Sequence, residues 1–339
     1  MKTTRIAING FGRIGRAFFR SAFGLPDFEI IAVNDLTDTK TLAYLLKYDS
    51  VYGKFDRTVE SGEGWLRVDG KEVKVCAEKD PAKLPWRDMQ IDAVVESTGF
   101  FTSGDKAKSH LDAGAKRVVI TAPATGDIAT ILVGVNDDLF ASPPAMTANA
   151  SCTTNSVAPV LAIVADSLGI QKATMVTVHG YTATQKLVDG PDSKDPRRGR
   201  AAAVNIVPST TGAAEAVIQV LPALRGKFDA TAVRVPTITG SLSIVSVLIE
   251  KTATPDSVNQ IFRDAAKKPR WEKTLKVSDD PLVSTDIIGE PYGAIIDTQM
   301  TKVLDGNLVT IFSWYDNEAG YTATLVEHVR RVAKNEDLG

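Results

Sequence analysis

Cysteine is nearly absent from the 339 residues, with only Cys76 and Cys152 present. Met1-Lys2 leads straight into an alternating run, with no apolar segment and small-residue cleavage site, so both read as reduced thiols rather than a disulfide. Histidine is scarce too. His110, His179 and His328 are scattered along the chain and neither cysteine has a second thiol at ligand spacing, so no metal site is expected. Charge of one sign is also missing: 39 Lys and Arg face 41 Asp and Glu, a formal charge of −2, which excludes a basic nucleic-acid footprint. No apolar run approaches the ~18 residues of a membrane span. These absences describe a soluble, cytoplasmic protein with neither a membrane nor a dedicated nucleic-acid partner. What remains is ordinary globular composition, 44% apolar and 24% charged, at a length that favours two domains.

The order of elements points to an α/β chain. RIAIN (5–9) predicts a strand, GFGRIG a tight turn, and 16–23 a helix; a strand at 29–33 and a helix at 38–46 follow. Further apolar runs at 93–96, 117–121 and 131–135 flank a polar helix at 104–113, and this alternation predicts a parallel, doubly wound sheet. Residues 57–76, with Asp69-Gly70 at their centre, predict an antiparallel excursion. After Asn149 the pattern changes to a helix at 152–168, strands at 174–179, 230–235, 241–250 and 308–314, and a last helix at 318–334. That half reads as α+β with a mainly antiparallel sheet. The polar stretch 182–204 lacks a period and predicts a long functional loop.

Gly10, Gly12 and Gly15 have the G-x-G-x-x-G spacing between a predicted strand and helix, and Asp35 ends the next strand twenty residues after Gly15. Such a turn brings backbone N–H groups and the positive end of a helix to a pyrophosphate. The Asp35 carboxylate would accept from ribose hydroxyls and repel a 2′-phosphate, favouring NAD over NADP. Cys152 stands in NASCTTNS, just before an apolar stripe of Val157, Val160, Leu161, Val164 and Leu168. Two readings fit that position: a thiol activated by a helix N-terminus, its pKa lowered, or a structural cysteine in a capped turn. His179 ends a strand and is a candidate partner for the thiol. Cys76 reads as structural, and His110 and His328 as solvated residues on polar helical faces.

INGFGRIGR, NDLTD, LLKYDSVYG, ESTGFF, NASCTTN, YTATQK, STTGAA, RVPT and SWYDNE occur in one order between about Ile6 and Val332. Together they resemble the phosphorylating glyceraldehyde-3-phosphate dehydrogenase family. The resemblance implies a Rossmann-type NAD-binding domain of residues 1–151 and 318–339, a catalytic domain of 152–317, and a homotetramer. It implies Cys152 as nucleophile and His179 as base. It implies Ser151, Thr153, Arg200, Thr211 and Gly212 around inorganic phosphate, and Thr182, Thr184 and Arg234 around the phosphate of D-glyceraldehyde 3-phosphate. For NAD it implies Gly10, Phe11, Gly12, Arg13, Ile14 and Gly15 at the diphosphate, Asp35 at the ribose, Thr98 and Thr121 along the cleft, and Asn317 with Tyr321 at the carboxamide. Departures are Ser156, where a second cysteine is common, Gly180 for alanine, Ala319 for an aromatic, and ITGSLSIVSV after RVPT, which bears on subunit contacts. Erythrose-4-phosphate dehydrogenase is a relative sharing the thiol and glycine fingerprint, but it usually lacks the TATQ and STTGAA patterns present here. Reductive use of the same site, and a non-catalytic NAD- or nucleic-acid-binding protein, are the other readings.

Overall fold

The computed structural model describes residues 3–193 and 195–334; Met1-Lys2 and residues 335–339, both in the expected first domain, lie outside the described residues. The described residues of Met1–Ile131, Asp137–Ala150 and Leu325–Gly339 group as one compact unit, and Leu132–Asn136 with Ser151–Thr324 as a second.

In the first unit, β1 (Thr4–Asn9) buries Ile6, Ala7 and Ile8 and leads into α1 (Arg13–Ala22), which buries Phe18, Phe19 and Ala22. β2 (Phe28–Asn34) runs parallel to β1 and is followed by α2 (Thr39–Lys47), whose N-cap Asp38 accepts from the Thr41 N–H. A two-stranded ribbon, β3 (Tyr48–Asp49) with β4 (Gly53–Lys54), precedes the excursion. There β5 (Val59–Gly62), β6 (Trp65–Val68) and β7 (Lys71–Cys76) form an antiparallel meander. Asp69 and Gly70 turn between β6 and β7 with φ of 47° and 80°, the left-handed pair that a two-residue hairpin requires. β8 (Ala93–Glu96), α3 (Gly104–Asp112), β9 (Arg117–Ile120), β10 (Ala129–Thr130) and β11 (Met146–Ala148) complete a sheet ordered β10-β11-β9-β8-β1-β2-β7-β6-β5. Every pair from β10 to β7 is parallel. The chain leaves β1 toward β2 and later returns to β1's other side as β8. That reversal opens a crevice at the carboxyl ends of β1 and β8, where α/β sheets bind ligands.

The second unit starts with α4 (Cys152–Leu168) and the long β12 (Ile170–Gly180). Then come β13 (Val207–Ser209), α5 (Ala213–Val220), β14 (Phe228–Val235), β15 (Ser241–Ile249), α6 (Pro255–Ala266), β16 (Leu275–Ser278), β17 (Ala294–Leu304), β18 (Leu308–Tyr315) and α7 (Ala319–Lys334), which passes to the first unit after Thr324. The sheet order is β13-β14-β12-β15-β18-β17-β16. It is mainly antiparallel, with β12–β14 and β16–β17 parallel. β15 buries every second residue, as a strand with one covered face must. The covering helix is α4, which packs on β12, β15, β17 and β18 and buries the predicted stripe of Val157, Val160, Leu161, Val164 and Leu168.

Three expectations are corrected. The run 131–135 is a turn, not a strand: Gly134 has φ +85° and the Asn136 side chain accepts from the Leu132 N–H, so the backbone closes on itself. Its apolar residues are buried, which is why the run imitates a strand. His110 and His328 are fully buried rather than solvated. Each lies on the inward face of its helix with partners on both ring nitrogens: Trp86 and Glu96 for His110, Ile131 and Thr147 for His328. α5, α6 and the strands β3, β4, β10, β11, β13, β16 and β17 were not anticipated. Among the described residues no helix is long and apolar enough to cross a membrane, and no three His, Cys, Asp or Glu gather to hold a metal.

Candidate active site and cofactor cleft

Strand register assembles the chemistry of the second unit. His179 of β12 lies beside Arg234 of β14 on one side and Ser241 of β15 on the other, and Ser241 pairs with Tyr315 of β18. Residues 177 and 179 share a face, so Thr177 joins His179 in facing the start of α4. The first turn of that helix is fastened by side chains. Ser151 is its N-cap and accepts from the Thr154 N–H at 3.1 Å. Thr153 Oγ1 lies 3.0 Å from the Tyr315 hydroxyl, which also lies 2.7 Å from Thr177 Oγ1. Ser156 Oγ bonds to Ser243 Oγ at 3.2 Å and Ser313 Oγ at 3.3 Å.

This anchoring brings Cys152 Sγ to 3.4 Å from His179 Nε2. On the ring's far side Nδ1 has two neighbours, the Gly180 carbonyl at 2.6 Å and the Arg234 guanidinium. A proton on Nδ1 satisfies the carbonyl and leaves Nε2 to accept from the thiol. A proton on Nε2 lets Nδ1 accept from Arg234 and lets the ring donate to a thiolate. The geometry therefore serves the thiol and the thiolate alike. Burial, and then the Arg234 cation, hold His179 down at about 3, so the ring is neutral at pH 7. Burial pushes the half-buried Cys152 thiol up, against the Arg234 charge and hydrogen bonds from Thr153. Of the two readings of this position, the one with a thiol lowered by the helix tip does not hold for the free site, where desolvation outweighs the hydrogen bonds of the first turn. Cys76 is half-buried at the end of β7, and burial raises its thiol too.

The other expected phosphate ligands are spread along the unit. Thr182 and Thr184 bring their hydroxyls within 3.0 Å of each other just after β12. Arg200 bonds to Asp189 at 3.0 Å on an exposed loop, Thr211 Oγ1 accepts from the Ala213 N–H, and Gly212 caps α5. These three are tied elsewhere and not to the thiol and imidazole. Asn317 is buried, and its Oδ1 accepts from Thr239 Oγ1, Gly240 N–H and Ser241 Oγ, at 3.1 to 3.2 Å. Three donors on the oxygen fix the amide so that its NH₂ is the end available to a ligand. Tyr321 is also buried.

In the first unit a cleft of about 540 Å³ lies at the reversal point, lined by Gly10, Gly12, Asp35 and Thr98 among the expected residues. A Cβ on Gly15 would stand 2.1 Å from the Gly10 carbonyl oxygen, so the turn and α1 close up only around glycine. A Cβ on Gly12 would meet nothing within 4 Å, leaving an open approach to the cap of α1, where an anion meets the positive end of the helix. Asp35 Oδ2 accepts from the Phe11 N–H at 2.8 Å, joining the glycine turn to the end of β2. Ile14 starts α1 with Arg13, whose guanidinium is paired with Asp49. Thr121 is not among the cleft-lining residues; its N–H bonds to the Glu96 carbonyl. Asn9, Asn34, Leu36, Glu78 and Phe100 line the cleft but escaped the sequence reading. For Asn9 and Asn34 a signal existed: each ends a parallel strand directly before a predicted ligand residue.

Comparisons with known proteins follow the same division. A family model described as "Glyceraldehyde 3-phosphate dehydrogenase, NAD binding domain" matches residues 4–104, and one described as "Glyceraldehyde 3-phosphate dehydrogenase, C-terminal domain" matches residues 151–317. A glyceraldehyde-3-phosphate dehydrogenase of Thermotoga maritima is 52% identical over 332 residues, covering 97% of this chain and 99% of the relative. Those of Mycobacterium avium and Clostridium acetobutylicum are 48% and 47% identical, covering 98% and 97% of this chain and 99% and 98% of the relatives.

Proposed function

The chain belongs to the glyceraldehyde 3-phosphate dehydrogenase family, an NAD-dependent oxidoreductase family, and from that premise we propose phosphate-dependent oxidation of D-glyceraldehyde 3-phosphate to 1,3-bisphosphoglycerate. The observation that carries this reading is the Cys152–His179 contact at 3.4 Å, with Arg234 against the same imidazole. Residues 1–151 and 318–339 act as the NAD-binding domain and 152–317 as the catalytic domain of a cytoplasmic homotetramer, and the reaction runs reversibly within glycolysis.

His179 Nε2 takes the thiol proton as Cys152 Sγ bonds to the aldehyde carbon. The oxyanion of the resulting thiohemiacetal is held by the Cys152 N–H at the helix tip and by the protonated ring. The proton settles on that oxygen, leaving His179 neutral. NAD, when bound, supplies the acceptor for the hydride that leaves this carbon. His179 removes the hydroxyl proton in the same step, and an acyl thioester remains on Cys152. An oxygen of inorganic phosphate then attacks the acyl carbon, the C–S bond breaks, and the departing thiolate takes back the proton held by His179, restoring thiol and neutral ring. Arg234, with Thr182 and Thr184, receives the substrate's phosphate. Ser151, Thr153, Thr211, Gly212 and Arg200 receive the attacking one. Arg200 must release Asp189 to do so, a small cost for an exposed pair. Gly10 to Gly15, Asp35, Thr98, Thr121, Asn317 and Tyr321 hold the cofactor.

NADH formation from this aldehyde, with and without phosphate, tests the reading, with erythrose 4-phosphate as the competing substrate and Cys152→Ser as the variant. Turnover that needs phosphate and disappears in the variant is expected. Full turnover by the variant removes the covalent mechanism, and none by the parent protein leaves a binding protein.

A further inference from the structure

Glu96, the last residue of β8, is 1% exposed and takes no part in the reaction described. Its carboxylate nevertheless accepts four hydrogen bonds. Oε1 accepts from the Thr98 N–H at 2.8 Å and from the Thr98 hydroxyl. Oε2 accepts from Asn9 Nδ2 and from His110 Nε2 at 3.0 Å. The direction of the last bond follows from its neighbour: the buried Trp86 N–H donates to His110 Nδ1 at 3.1 Å, so the ring proton sits on Nε2 and points at Glu96.

The network continues to the opposite side of the cleft. Asn9 Oδ1 accepts from Asn34 Nδ2 at 2.7 Å, and the Asn34 amide exchanges two bonds of 2.9 Å with the Glu78 backbone. Thr98 on one side, Asn9 on the floor, and Asn34 and Glu78 on the other side are thus tied to one carboxylate, and all four line the cleft. Seven bonds converge where β1, β2 and β8 end, with Trp86 to His110 as an eighth behind them, and every bond has a defined donor and acceptor. A half-satisfied version of such a network would be worse than an apolar plug, because each buried group left over loses its solvation. Its complete state keeps the cleft at one width before any ligand arrives.

We infer that Glu96, oriented by His110 and Trp86, is a positioning residue that sets the cleft for the adenosine half of NAD. This rests on the NAD reading above and adds the group that holds the cleft's two sides in register. A carboxamide at position 96 cannot accept all four bonds: whichever way it lies, its NH₂ faces two donors. Preorganisation lost in this way appears as weaker binding and leaves the chemistry at Cys152 intact.

Calorimetric titration of Glu96→Gln with NAD and with ADP-ribose, without aldehyde, tests the inference. We expect both to bind at least tenfold more weakly than to the parent protein. The KM for NAD should rise similarly, with kcat at saturation and the rate of Cys152 alkylation by iodoacetamide within twofold of the parent. A parent protein that binds neither ligand overturns the NAD reading itself. A folded Glu96→Gln that binds both as the parent does, or loses kcat and not affinity, overturns the positioning role alone. If Glu96→Gln does not fold, Trp86→Phe decides: it keeps the ring but frees His110 Nδ1, and a threefold or greater loss of ADP-ribose affinity is expected. Unchanged affinity there overturns the role.

Discussion

Arg234 acts in the same direction on the two groups proposed to react: its cation lowers both the Cys152 thiol and the His179 ring. For the thiol this opposes burial, and for the imidazole it adds to burial. Replacing it with a neutral side chain therefore raises both. In Arg234→Leu the rate of Cys152 alkylation by iodoacetamide, followed against pH, should have its midpoint shifted upward, and turnover should fall by about two orders of magnitude if the proposed charge-assisted contact to the substrate's phosphate is lost. A midpoint that stays put or moves down would show the guanidinium to be electrostatically idle. Asp35 carries a second prediction. Its Oδ2 holds the Phe11 N–H and its Oδ1 the Thr37 N–H, so Asp35→Ala should weaken both NAD and NADP. The ratio is the readout: losing the carboxylate removes repulsion of a 2′-phosphate, and kcat/KM for NAD relative to NADP should drop at least tenfold. An unchanged ratio assigns discrimination to other residues.

The hydroxyls beneath α4 decide how firmly the thiol is presented. Tyr315 bridges Thr153 on the helix and Thr177 on β12, and Tyr315→Phe leaves both threonine hydroxyls buried without that partner. Urea unfolding should register a loss of about 1–3 kcal/mol, the cost of stranding buried polar groups. A loss below ~0.5 kcal/mol would mean that the threonines find other acceptors. This bridge also shows where sequence reading stops. The β1–Gly10–α1 turn, α4, and the strands carrying His179 and Arg234 were legible because alternation and capping are local signals. The Tyr315 bridge was not, since its partners are 138 and 162 residues away in the chain. His110 and His328 misled for the same reason: each sits on a helix with a polar pattern, and the groups that receive it come from other elements. α6 did have a signal, Thr254-Pro255 with Ser257 closing a capping box, but serine in place of the usual Glu or Gln hid it.

Two buried histidines link the protonation of the chain to its stability, one in each unit. His328 is fully buried between the Ile131 carbonyl and Thr147, and burial holds it down at about 3; His179 is held at about 3 as well. Unfolding returns each ring to an ordinary value near 6.5. Between those limits the unfolded chain binds more protons than the folded one, so the stabilisation present above pH 6.5 is lost progressively as pH falls toward 3. Each histidine should cost about 1 kcal/mol between pH 6 and pH 5. Carboxylates held low by arginines, such as Glu327 beside Arg331 and Arg330, and Asp27 beside Arg330, act in the same sense but only from about pH 4 downward, so the windows separate. Thermal unfolding followed from pH 7 to pH 5 should fall steadily in midpoint. His328→Gln, destabilised at pH 7 by the imperfect replacement, should show a shallower slope over the same range. If its slope matches the parent's, His328 takes up protons in the folded state as readily as in the unfolded one, and its burial is not what makes the protein sensitive to mild acid.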